Sequence, residues 1–176
     1  MLVYCRLSKK RCKLQLMKQI LTALFIFVSL SSIAQVSKID SLKIDGLTQL
    51  YTNASPVVVV NFWSTWCASC IEEIPHFIET ADKFKQDSVL FVFVSQDVKR
   101  LYQNGQLLEF VNKNKWKGKF VWLNESDADY YCPVVDKKWG GGIPATLIVN
   151  NNTGKRLFFE DPLTKAQLEK AINDIK

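Results

Sequence analysis

Two cysteines separated by two residues, Cys67-Ala-Ser-Cys70, stand at the end of the apolar run Val57-Val-Val-Val-Asn-Phe-Trp-Ser-Thr-Trp66. If the chain turns into a helix there, one helical turn brings the two sulfurs together, and they can close a small, reversible disulfide. The first sulfur then meets the unpaired backbone N–H groups and the positive dipole end of that helix, which favour its thiolate. The chemistry on offer is thiol–disulfide exchange, with Cys67 as nucleophile and Cys70, one turn in, as the buried resolving thiol. Two plainer readings compete. Half of a zinc site would need a second cysteine pair or a histidine cluster, and the chain has neither. A purely structural staple would close so short a loop that it adds little stability.

The sulfurs need a strand to lead in and a helix to lead out. Val57 to Phe62 is nearly all apolar and β-branched, which predicts a strand covered on both faces. From Cys67 to about Lys85 the spacing changes, and Cys70, Ile74, Phe77, Ile78, Ala81 and Phe84 make one helical face. Val89 to Val94 predicts a second doubly buried strand, completing a right-handed βαβ unit. Lys38 to Tyr51 reads as an irregular or helical lead-in, and Val98 to about Asn112 as one further helical stretch. A short strand is expected near Phe120 to Leu123. Residues 124–142 then read as a helix or turn entering a constrained Gly-rich loop. Ala145 to Val149 and Arg156 to Phe159 flank a turn-rich spacer and predict a hairpin; Thr164 to Ile175 predicts a closing amphipathic helix. The sum is one α/β domain over residues 35–176 with a mixed sheet.

Asn61-Phe-Trp-Ser-Thr-Trp-Cys-Ala-Ser-Cys70, followed at a distance by Gly142-Ile-Pro-Ala-Thr-Leu147, resembles the thioredoxin fold. Within that fold the chain is most similar to the exported TlpA/ResA-type thiol–disulfide oxidoreductases, over about residues 38–176. The resemblance implies a mixed central β-sheet flanked by helices, with Pro144 in a cis peptide bond facing the active-site disulfide. A cis X-Pro bond exposes the backbone of the preceding residue, so Ile143 is expected to pair with an incoming peptide as a short β-bridge. Ile143, Pro144 and Trp66, the last flanking the sulfur with an apolar surface, are the expected substrate-binding residues. The Glu73-Ile-Pro75 pattern after the second cysteine resembles the ResA-type subgroup, where such a glutamate lies near the site. Glu73 is accordingly a candidate to accept or return the Cys70 proton. The simpler alternative is that Glu72 and Glu73 are first-turn acids favoured by the helix dipole. Thioredoxin itself usually has a buried aspartate where this chain has Asn61, which sharpens the case for Glu73. Ser69 departs from the proline common among relatives.

The net charge of +6 invites a nucleic-acid reading, which its location removes. Six of the 23 basic residues precede residue 35, where no acid stands, and the rest balance the 17 acids. Those first residues have the parts of an export signal: a basic stretch ending at Lys18, an apolar run from Ile20 to about Ser29, and Ser32-Ile33-Ala34 for cleavage. Residues 1–34 are expected to be a signal peptide or an uncleaved N-terminal anchor tethering the domain, with Met17 a second candidate start. Of five cysteines, Cys5 and Cys12 fall in this leader; Cys132 is then odd, and reads as a small buried hydrophobe before a third redox thiol. His76 is expected at the surface.

The expected protein is an exported oxidoreductase of the periplasm or cell envelope, acting on protein thiols and disulfides and fed by a membrane electron donor, with no cofactor and no nucleic-acid partner. The alternative class is a thioredoxin-fold binding or metal-delivery module without turnover. Copper delivery would call for Cys-x-x-x-Cys and a remote histidine in the site. A thiol peroxidase would need a threonine and an arginine around the reactive cysteine, and no such arrangement is visible in the sequence.

Overall fold

A run of four valines has stiff, branched side chains that pack well on a pleated surface and poorly in a helix. In the computed structural model, which describes residues 35–176, this run opens the central strand of a six-stranded sheet. The expected leader lies outside the described residues. In chain order the elements are β1 (Asp40–Leu42), α1 (Ile44–Asn53), β2 (Val57–Trp63), α2 (Ala68–Lys83), β3 (Val89–Ser95), α3 (Lys99–Gln103) and α4 (Gln106–Lys113). There follow β4 (Lys119–Leu123), α5 (Ala128–Val135), β5 (Ala145–Asn150), β6 (Arg156–Phe159) and α6 (Lys165–Ile175). The strand order is β1-β4-β3-β2-β5-β6. β1, β4, β3 and β2 run parallel to one another, and β5 and β6 join antiparallel, so the sheet is mixed.

Alternation along β2 sends its residues to two cores. Val57, Val59 and Trp63 pack with Ile74 and Phe77 of α2 and with Leu168 and Ile172 of α6. Val58, Val60 and Phe62 pack on the other face with Ile44, Leu47 and Tyr51 of α1 and with Trp139. All seven residues of β2 are buried, as a strand covered on both sides requires. At its C-terminal end, Trp63 pairs with Ser95 of β3 and Asn61 with Thr146 of β5, so β3 ends and β5 begins beside the cysteine loop.

Two expectations are corrected. The lead-in is not simply irregular or helical, because Asp40–Leu42 is a strand paired in register with Val121–Leu123 before α1 begins. Three residues are too few to show a period of two, and the partner strand lies some eighty residues away. The stretch from Val98 to Asn112 is two helices, not one. Gly105 separates α3 from α4 with φ of 81°, a left-handed conformation that a helix cannot carry through.

Candidate active site

Cys67 is the N-cap of α2. Its backbone is extended, its carbonyl accepts from Ile71 N–H at 3.1 Å, and its sulfur accepts from Cys70 N–H at 3.3 Å. A first-turn N–H aimed at this sulfur is the arrangement that lowers the cost of a thiolate. Cys67 and Cys70 are joined by a disulfide with a Cα–Cα distance of 5.3 Å. Cys67 is 6% exposed and Cys70 completely buried, so an incoming group meets the first sulfur. Ser69 Oγ lies 3.6 Å from the Cys67 sulfur, which gives the residue in the usual proline position a polar contact of its own.

Pro144 joins Ile143 through a cis peptide bond, and the Ile143 carbonyl oxygen stands 3.8 Å from Cys67 Sγ. Trp66 is 69% exposed, so its indole forms an apolar rim next to Cys67. Trp63 and Phe62, its neighbours in sequence, are entirely core. The four residues Trp66, Cys67, Ile143 and Pro144 thus come from two loops, with Ile143 76 positions after Cys67, and meet at one end of the sheet.

Glu73 is 3% exposed, on the same helix as Cys70 and one turn on. Its carboxylate accepts from Asn61 Nδ2 at 2.8 Å and from the Leu163 N–H at 3.0 Å. Asn61 Nδ2 also reaches Thr146 Oγ1 at 3.2 Å. Burial pushes the Glu73 carboxyl from 4.5 up to about 7; the hydrogen bonds from Leu163 and Asn61 pull the other way and lose. A solvated first-turn acid would be neither buried nor shifted in this way. Glu72, its neighbour, is the exposed one.

His76 is not a free surface residue. It is half-buried, and its Nε2 lies 2.7 Å from the carbonyl oxygen of Leu163, which can only accept, so that nitrogen carries the proton. Glu73 and His76 therefore grip Leu163 from its two sides. Sequence spacing alone does not reveal this, because the gripped residue is 87 positions from His76. Cys132 is buried in α5. Burial, followed by the nearby Glu160 and Asp129 carboxylates, pushes its thiol up to about 11, so it stays protonated and unreactive at neutral pH.

One residue that sequence reasoning missed is Asp97, just past the end of β3. Its buried carboxylate accepts from Thr65 N–H at 3.1 Å, Thr65 Oγ1 at 2.6 Å and Ser95 Oγ at 2.8 Å. It fixes the chain two residues before Cys67. The available signal was position alone, since loops at the C-terminal ends of parallel strands carry function in α/β sheets.

The thiol-disulfide oxidoreductase ResA of Oceanobacillus iheyensis is 27% identical over 124 residues, covering 67% of this chain and 56% of that protein. The protein of the same name from Geobacillus kaustophilus is 24% identical over 119 residues, covering 68% and 63%. The match thus spans less than two thirds of either relative. A thioredoxin-related protein from Neisseria meningitidis serogroup B has a TM-score of 0.58 at 21% identity, covering 69% of this chain and 85% of that one. A thiol:disulfide interchange protein from Chlorobium tepidum TLS has a TM-score of 0.56 at 16% identity, covering 81% and 99%. At such identities the likeness carries the fold, which is that of thioredoxin. The AhpC/TSA family matches residues 42–154, well over half of the sequence, and the chain belongs to that family.

Proposed function

We propose that this protein is an exported thiol–disulfide oxidoreductase that reduces disulfides in partner proteins of the cell envelope. The observation that carries the reading is a disulfide between Cys67 and Cys70 at a helix N-terminus, its outer sulfur beside the Ile143 backbone and an exposed tryptophan. In the reduced protein the Cys67 thiolate attacks a partner disulfide. One partner sulfur leaves as a thiolate and a mixed disulfide forms. The Cys70 thiol loses its proton to Glu73 and attacks the Cys67 sulfur, which expels the second partner thiolate and closes Cys67–Cys70. Two electrons pass to the partner, and a membrane electron donor restores the dithiol. Ile143 offers its backbone to the partner's segment, with Pro144 holding the turn and Trp66 covering the apolar side.

A peroxidase reading within the same family fits less well. Among the described residues, the polar neighbours of the Cys67 sulfur are Ser69, Cys70 and Ile143, with no guanidinium. The Arg156 guanidinium donates to the Val135 carbonyl and lies over the Tyr51 ring, which belongs to the core on the opposite face of the sheet from Cys67.

Reduction of insulin by the full chain tests the assignment. Cys67→Ser is expected to abolish it, and Cys70→Ser to accumulate partner mixed disulfides visible on non-reducing gels. Unimpaired turnover by Cys67→Ser would reject the assignment. Export is checked by the mature N-terminus of protein recovered from the envelope: a start just after Ala34 supports a cleaved signal, and retained residues 17–34 support an anchor.

A further inference from the structure

The loop that brings Ile143 to the active-site sulfur is held from outside the loop. Glu160 directly follows β6, whose Phe159 pairs with Thr146 of β5, so the sheet register delivers its side chain to the segment entering β5. Its carboxylate accepts from Gly142 N–H at 2.8 Å through one oxygen and from Gly140 N–H at 3.1 Å through the other. The carbonyl of the same Gly142 accepts from Trp139 Nε1 at 2.8 Å, and Trp139 is buried against Phe62 of β2 with ring centroids 4.5 Å apart. The residue preceding Ile143 is therefore fixed on both its N–H and its C=O side. Two charge-assisted bonds from one planar carboxylate also define an orientation, not only an attachment.

A second observation points the same way. A Cβ at Gly142 would come within 2.9 Å of Glu160 Oε1, and its three nearest neighbours would all be Glu160 atoms. Its backbone does not demand glycine: the left-handed positions in this loop include Gly141, at φ of 94°, but not Gly142. A side chain at 142 would therefore have to displace the carboxylate from this position. Glu160 is exposed, and no lysine or arginine among the described residues forms an ion pair with it. Among those same residues, its hydrogen bonds both go to this loop.

We propose that Glu160 is a positioning residue for partner docking, clasping the Gly140–Gly142 backbone so that Ile143 is presented to an incoming disulfide-bearing segment in a preformed geometry. The inference rests on the thiol–disulfide exchange reading above. A partner protein that uses the Ile143 backbone should feel loss of the clasp, whereas a small disulfide that meets only the Cys67 sulfur should not.

The test compares insulin with a small aromatic disulfide, 5,5′-dithiobis(2-nitrobenzoate), for the wild-type full chain and for Glu160→Ala, Glu160→Gln and Gly142→Ala. Glu160→Ala is expected to raise KM for insulin about five- to tenfold, with kcat and the small-disulfide rate within about twofold of wild type. Glu160→Gln keeps one acceptor oxygen and should fall between. Gly142→Ala should reproduce the KM effect by displacing the carboxylate, and combining it with Glu160→Ala should add little beyond either change alone. An unchanged KM in Glu160→Ala overturns the proposal. So does a parallel fall with insulin and the small disulfide, which would mean that the cysteine pair itself is disturbed. If turnover depends on Cys67 and ignores Glu160, the clasp fails and the exchange reading stands. Turnover that survives Cys67→Ser removes both.

Discussion

At the scale of single residues, the decisive group is a carboxylic acid held where water does not reach it. Glu73 titrates near neutrality because desolvation outweighs its two hydrogen bonds, so at pH 7 it is poised both to take a proton and to give one back. In the proposed relay, the charged form is the one that accepts the Cys70 proton. We therefore expect the wild-type rate of mixed-disulfide resolution to rise as pH climbs through about 7, and Glu73→Gln to lose that rise and resolve more slowly above it. Stopped-flow single-turnover rates between roughly pH 5 and 9, the span in which such thiols titrate, decide the matter; superimposable profiles would remove the relay. Asp97 makes a structural counterpart. Alanine there strands the Thr65 N–H and the Thr65 and Ser95 hydroxyls, and is expected to cost about 2–3 kcal/mol in urea denaturation, with asparagine costing less because one acceptor remains. An Asp97→Ala protein as stable as wild type would show that the clasp before Cys67 is dispensable.

Among the elements, α2 carries both the chemistry and much of the packing. Its N-terminus presents Cys67 while Cys70, Ile74 and Phe77 anchor the helix in the sheet-facing core. Phe77→Ala should lower stability by about 3–5 kcal/mol through lost burial and the cavity left behind, measurable as a shift in denaturation midpoint without a change in the Cys67–Cys70 chemistry of the folded fraction. The break between α3 and α4 makes a smaller, sharper case. Gly105 has a left-handed backbone and open space where a side-chain methyl would stand, so only conformation opposes substitution. Gly105→Ala is expected to cost about 1 kcal/mol and Gly105→Asn less, since asparagine tolerates that region. Equal stability of the two variants would contradict this account.

At the scale of the whole molecule, the buried carboxyl links stability to pH. Its proton affinity is higher in the folded protein, about 7, than the ordinary 4.5, so the native state holds this proton more tightly than the unfolded chain. The associated stability is fully present below about pH 4.5 and is lost as pH rises through 7, a fall of about 3 kcal/mol for the oxidised protein. Equilibrium denaturation across that window should show the decline, and Glu73→Gln should flatten it. A wild-type profile as flat as the variant's would mean that Glu73 is not held neutral by burial.

What could be read without coordinates was whatever is local. The valine run, the Cys-x-x-Cys at a change of period and the hairpin spacer each depend on residues close in sequence, and they specified β2, α2, β5 and β6 together with the Cys67–Cys70 pair. The tertiary structure alone decided the rest, because those contacts join residues dozens of positions apart. The pairing of β1 with β4, the grip of Glu73 and His76 on Leu163, the tie from Asp97 to Thr65 and the clasp of Glu160 on Gly142 leave no periodic trace. Spacing along the chain records which face a residue turns to the core. It cannot record which distant backbone group a carboxylate will meet, and those meetings are what tie Glu73 to Leu163 and Glu160 to the loop before Ile143.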